Sequence, residues 1–114
     1  MLVRRELHRR GLRFRVNMAG LPGRPDIAFT RVCLAVFIDG CFWHMCPEHS
    51  TMPKNNSAWW RDKLLRNVER DRDVDVRLGL LGWHVVHAWE HENPVDVADS
   101  LQRLWRVLRE TGLQ

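Results

Sequence analysis

At 114 residues the chain has room for one compact core and not for two. With 45% hydrophobic and 28% charged residues it is no disordered segment, and its longest apolar runs fall far short of the roughly 20 residues that cross a bilayer. The net charge of +4 is concentrated at one end: residues 1–25 hold Arg4, Arg5, Arg9, Arg10, Arg13, Arg15 and Arg24 against Glu6 alone, an excess of six, while the other 11 basic and 13 acidic residues leave −2.

Such an arginine excess suits a polyanion such as nucleic acid, because guanidinium groups release condensed counterions from phosphates; a solvated helix face is the alternative. Nothing at the start has the basic, then apolar, then small-residue order of a secretory signal, so a cytoplasmic setting with reduced cysteines and no membrane contact is expected.

Leu2, Val3, Leu7 and Leu12, interleaved with Arg and His, predict an amphipathic helix ended by Gly11. Residues 12–18 alternate Leu12, Phe14, Val16 and Met18 with Arg13, Arg15 and Asn17, the period of a half-buried strand. Two glycines and two prolines make residues 20–25 a turn. Residues 26–29 and 32–38, broken at Thr30-Arg31, predict a hairpin whose second strand is central and buried on both faces, with Cys33 a small buried hydrophobe within it.

Residues 39–56 gather Gly, Cys, His and Pro without periodicity, a loop that needs something other than a core to order it. Ser57 can cap a long helix carrying Trp60, Leu64 and Val68, which ends near Leu81 before Gly82. Residues 83–89 predict a third buried strand. Asn93 as cap and Pro94 at the first position open a last helix with Val97, Leu101, Leu104, Trp105 and Leu108 as its stripe.

Two sets of residues carry chemistry. Asp26 stands where the turn enters a strand and Asp39, 13 positions later, at the end of the next, so the two can bring oxygen ligands to one edge of a sheet. Hard cations such as Mg²⁺ use one or two carboxylates and complete their shell with water and phosphate. A cap after Pro25 and a tight Asp39-Gly40 turn would use the same residues structurally. Cys41, Cys46 and His49 have the spacing to wrap a short loop around one tetrahedral Zn²⁺, with His91 arriving from the end of the last strand; packed thiols or a Cys41-Cys46 disulfide are the alternatives. Phe42 and Trp43 are adjacent loop aromatics that can stack on bases or wedge between base steps, or else cap a sheet end. His44 can exchange a proton near neutral pH or serve as another ligand.

The strings Leu21-Pro22-Gly23-Arg24-Pro25-Asp26, Val36-Phe37-Ile38-Asp39-Gly40-Cys41-Phe42-Trp43-His44, Asn67-Val68-Glu69-Arg70-Asp71-Arg72, Gly82-Trp83 and Trp89-Glu90 together resemble the very-short-patch-repair (Vsr) DNA mismatch endonucleases, over about residues 1–92. The resemblance implies one domain over residues 1–114, of α/β class with a restriction-endonuclease-like core: a mixed central sheet flanked by helices, with a zinc-ordered loop. It implies a Mg²⁺-dependent, strand-specific endonuclease that nicks duplex DNA 5′ of the thymine in T:G mismatches left by 5-methylcytosine deamination.

By position, Asp26 would bind the catalytic metal, joined by the backbone carbonyl of Ile38. His44 would be the catalytic histidine, Phe42 and Trp43 the wedge, Lys63 and Asn67 contacts to the mismatched pair, and Arg24 a further DNA contact. Implied partners are double-stranded DNA with a T:G mismatch, mismatch-repair proteins and a cognate cytosine methyltransferase, the protein acting as a monomer.

This sequence departs from the family pattern in three places. Position 39, often His in the family, is Asp, which suggests a two-carboxylate site with Asp39 as a second metal ligand. In the zinc loop the family shows Cys, His, Cys and a distant Cys; here Cys41 and Cys46 match the first two in order, His49 stands near the third and His91 replaces the last. The family's N-terminal arm, and an acidic residue at the start of its first helix, precede the position of Met1, and Glu6 falls about six residues too late to replace that acid on the same helix face. The competing readings are a zinc-ordered DNA-binding module and a related nuclease with another DNA substrate.

Overall fold

The computed structural model describes residues 2–40 and 57–111. The helix α1 (Leu2–Arg9) leads to the short strand β1 (Arg15–Val16), the hairpin β2 (Ile27–Phe29) and β3 (Leu34–Asp39), the long helix α2 (Ser57–Leu80), the strand β4 (His84–Trp89) and the helix α3 (Pro94–Glu110). The sheet has the order β1-β2-β3-β4, antiparallel between the first three strands and parallel between β3 and β4. A parallel pair cannot be joined by a tight turn, so the long connection through α2 follows from that topology. Among the described residues no helix is long and apolar enough to cross a membrane.

Side chains alternate across a strand, and that alternation sorts the core into two layers. Ile27, Phe29, Leu34, Val36 and Ala88 point to one face, where Val3 and Leu7 of α1 and Val97, Ala98, Leu101 and Leu108 of α3 cover them. Ala28, Ala35, Phe37 and Val85 point to the other, against Val74 and Leu78 of α2. Helices on both faces of a mixed sheet make this an α/β protein. The small side chains Ala28 and Ala35 let α2 lie close to the sheet.

Helix ends follow local chemistry. Gly11 and Gly82 adopt positive φ just beyond α1 and α2, the left-handed turn that stops a helix. Asn93 caps α3, its side-chain oxygen accepting from the amides of Val95 at 2.8 Å and Asp96 at 3.4 Å. The cap expected from Ser57 lies outside the described side chains.

The structure corrects the sequence reading in three places. The strand expected over residues 12–18 pairs only at Arg15 and Val16, because Asn17 turns to φ 46° and breaks the extended run; Leu12 is buried but Val16 is exposed. β4 is not a buried strand: among the described residues it is the edge of the sheet, and only Ala88 within it is buried. Cys33 is half-buried in the β2–β3 turn at φ 53°, a free thiol whose Sγ lies 3.9 Å from the Thr30 carbonyl oxygen, so it does not pack in the core.

Candidate active site

The same alternation that builds the core aims the chemistry. Asp39 shares the parity of Ala35 and Phe37 on β3, Asp26 that of Ala28 beside β2, and His87 that of Val85 on β4; all three therefore face α2. They line one cleft of about 230 Å³, with Gly23, Arg24, Phe37, Ile38, Asp71 and Val74. Asp26 and Asp39, the two carboxylates expected to share one edge of the sheet, line the same cleft.

Asp26 is fixed from two sides. Its Oδ2 accepts the backbone amide of Ile38 at 2.8 Å, tying the turn to β3. From α1, Arg4 donates to the Asp26 carbonyl oxygen through Nε at 3.2 Å and Nη2 at 2.7 Å, and Nη2 also reaches Asn17 Oδ1 at 3.2 Å. The turn itself depends on Gly23, at φ 74°: an added Cβ would meet Val74 Cγ1 at 2.6 Å, so neither backbone nor space admits a side chain there. The next residue, Arg24, is exposed at the rim with φ 49°.

Asp39 is the one charged side chain in the buried class among the described residues. His87 Nδ1 lies 2.7 Å from Asp39 Oδ2, and its Nε2 lies 2.7 Å and 2.9 Å from the two oxygens of Asp75. Phe37, opposite His87 in register, stacks on its ring at 5.1 Å with the planes 15° apart. The hydrogen bond to Asp39, then that to Asp75, outweighs partial burial and raises His87 to about 9, so the ring is an imidazolium at neutral pH.

Because the folded value lies above the ordinary one near 6.5, its contribution to stability is whole below pH 6.5 and is lost as pH rises through about 9. In EDTA, NMR of the His87 ring is expected to show a midpoint near 9 that moves toward the ordinary value in Asp75→Asn; an unshifted midpoint in the parent would contradict the bridge.

Sequence reasoning did not single out Arg4, Asp71, Asp75 or His87 as site residues. The signal was present in part: Asp71, Asp75 and Leu78 share one face of α2 by helical spacing, and His87 interrupts an apolar strand on the same side as Asp39.

Lys63 and Asn67 lie outside the cleft lining. They stand one turn apart on α2, and Asp71 continues their line by one further turn into the cleft. Lys63 Nζ sits over the Trp59 ring at 5.1 Å, and Asn67 Oδ1 accepts from Arg70. Cys41, Phe42, Trp43, His44, Cys46 and His49 lie outside the described residues. His91 is exposed in the turn after β4. Among the described residues no group of three or more His, Cys, Asp or Glu forms a metal site.

The N-terminal arginine excess is partly used within the fold. Arg9 and Arg10 both pair with Glu6, whose carboxyl they hold down near 2, and Arg10 also reaches Asp99. With Arg4 on Asp26, this leaves Arg5, Arg13, Arg15 and Arg24 directed outward.

The sequence profile of DNA mismatch endonuclease Vsr matches residues 1–50, which include the whole turn and both aspartates. The type II nicking enzyme V.NaeI of Lentzea aerocolonigenes is 45% identical over 111 residues, covering 90% of this chain and 67% of the relative. The type II nicking enzyme V.NmeAIP of Neisseria meningitidis serogroup A is 36% identical over 114 residues, covering 96% and 81%. DNA mismatch endonuclease Vsr of Escherichia coli K12 is 43% identical over 83 residues, covering 70% of this chain and 52% of that protein. With similarity at this level running through the cleft-forming turn, the central hairpin and the helix opposite them, the chain belongs to the Vsr family of DNA mismatch endonucleases.

Proposed function

We propose that this protein nicks duplex DNA on the 5′ side of the thymine in a T:G mismatch, the product of 5-methylcytosine deamination, on a restriction-endonuclease-like core. The observation that carries the reading is the convergence of Asp26 and Asp39 in one cleft of a chain whose relatives include a mismatch endonuclease and nicking enzymes. The donor set fits Mg²⁺: among the described residues the cleft offers carboxylate oxygens and no sulfur, and Asp26 and Asp39 leave the remaining positions to water and phosphate.

Asp26, the Ile38 carbonyl and Asp39 would hold the ion. When bound, Mg²⁺ supplies Lewis-acid polarisation of the scissile phosphate and neutralises developing charge. Arg4 and the Ile38 amide keep Asp26 in place, and His87, itself held by Asp75, orients Asp39. His44 exchanges the proton of the phosphoryl transfer, Arg24 contacts a phosphate at the rim, and Lys63 and Asn67 read the mismatched pair from α2. Cys41, Cys46, His49 and His91 would hold a structural Zn²⁺, which would tie together the segment that carries His44. A cognate cytosine methyltransferase and mismatch-repair proteins are the partners this role entails, in the cytoplasm, with the protein acting as a monomer.

Phe42 and Trp43 supply selectivity by deformation. A T:G wobble stacks less well than a Watson-Crick pair, so wedging a ring into that step costs less of the few kcal/mol that unstacking requires. Trp43→Ala is expected to weaken binding to a T:G duplex at least about tenfold more than binding to the matched C:G duplex, because backbone contacts serve both. Dissociation constants for the two duplexes at one salt concentration, with a melting curve, check this. Equal losses on the two duplexes would sink the wedge.

A further inference from the structure

A cluster of arginines among the described residues lies away from the cleft. Arg13 and Arg15 flank Phe14 at the start of the sheet, Arg31 stands in the β2–β3 turn, and Arg109 sits in the last turn of α3 over the Trp105 ring at 5.2 Å. These residues converge on one groove of about 600 Å³ that, among the described residues, no acidic side chain lines. Among the described residues none of the four guanidiniums meets a carboxylate, whereas Arg9 and Arg10, at the end of α1, both pair with Glu6. Four like charges around a groove repel one another, and the arrangement is relieved by a ligand that brings several negative charges at once.

The groove and the cleft occupy opposite ends of the same strands. Arg31 precedes β3 and Asp39 ends it, and six residues of strand at about 3.3 Å each separate them by roughly 20 Å. The two share no lining residue. A phosphate in the cleft therefore does not occupy the groove.

We propose that this groove is a second binding site for the phosphodiester backbone of nucleic acid, separate from the cleft. The guanidinium fork matches phosphate oxygens in pairs, and the half-buried rings of Phe14 and Trp105 give a base or sugar a surface to pack on, for which an acidic peptide has no counterpart. The site holds a strand segment other than the one under cleavage, and so keeps the protein on DNA while the cleft is empty.

The test uses the full chain and the double variant Arg31→Gln/Arg109→Gln, with two probes: short oligothymidylate and a matched duplex. Affinity for at least one probe is expected to fall about tenfold or more, and the salt dependence of log K to become shallower by about 1.4 for the single strand or about 1.8 for the duplex, the value for two lost phosphate contacts. The probe with the larger loss names the strand form. The nicking rate at saturating T:G duplex and the melting temperature stay at parent values. Parent-like affinity and salt slope for both probes in the double variant would overturn the site.

Discussion

Asp26→Asn is expected to lower the single-turnover nicking rate on a T:G duplex by about a thousandfold or more while leaving the protein folded. The size follows from the chemistry: removing a carboxylate that holds the catalytic cation forfeits several kcal/mol of transition-state stabilisation, and each 1.36 kcal/mol is about a factor of ten in rate. The structural cost is small because an amide oxygen can still accept the Ile38 amide that now bonds Asp26 Oδ2, and the Arg4 contacts go to the backbone carbonyl, which the substitution does not touch. Affinity for the duplex should persist, since phosphate and base contacts lie elsewhere. Rate constants, a melting curve and a binding isotherm on the same preparation read all three. Full activity in this variant would remove Asp26 from catalysis; loss of folding would make it a structural residue of the turn.

The second large effect concerns the loop after β3. If Cys41, Cys46, His49 and His91 hold zinc, the free energy of metal binding is part of the folding free energy, because residues 39–56 carry no helix or strand periodicity through which a core could order them. Cys41→Ser is then expected to abolish stoichiometric zinc and to cost at least about 3 kcal/mol, a fall in Tm of more than about 10 °C for a domain of this size. A strong chelator should bring the parent down to the same value. Metal analysis that finds no zinc in the parent, or a Cys41→Ser protein as stable as the parent, would contradict the assignment.

What could be read in the sequence was set by local physics. The stripe of α3, its Asn93 cap and Pro94 start, the glycines that end α1 and α2, and the hairpin of β2 and β3 all depend on residues close in the chain, and all are found where periodicity and turn chemistry place them. That Asp26 and Asp39 come to one end of the sheet was also legible, because antiparallel pairing of adjacent strands returns the end of β3 to the start of β2.

What escaped depends on tertiary arrangement. Alternation in residues 12–18 is a strand signal, but it cannot report that Asn17 turns to positive φ and leaves β1 two residues long. The apolar character of β4 suggests burial; its place at the sheet edge is decided by the crossover through α2. The bridge from Asp39 through His87 to Asp75 joins residues from β3, β4 and α2, and no local spacing announces it. Likewise the arginine count was visible, but its division between ion pairs on α1 and an open groove at the far end of the sheet was not.

The central claim is that Asp26 and Asp39 form the cation-dependent centre of a strand-specific mismatch nuclease. Its most direct test is a duplex labelled separately on each strand, carrying either a T:G or a C:G pair at one position, incubated with and without Mg²⁺ and resolved at single-nucleotide length. The account expects one product: a break in the thymine strand immediately 5′ of the mismatched thymine, only with Mg²⁺ and only on the T:G duplex. Cutting of both strands, equal cutting of the C:G duplex, or nicking that persists without a divalent cation would contradict it.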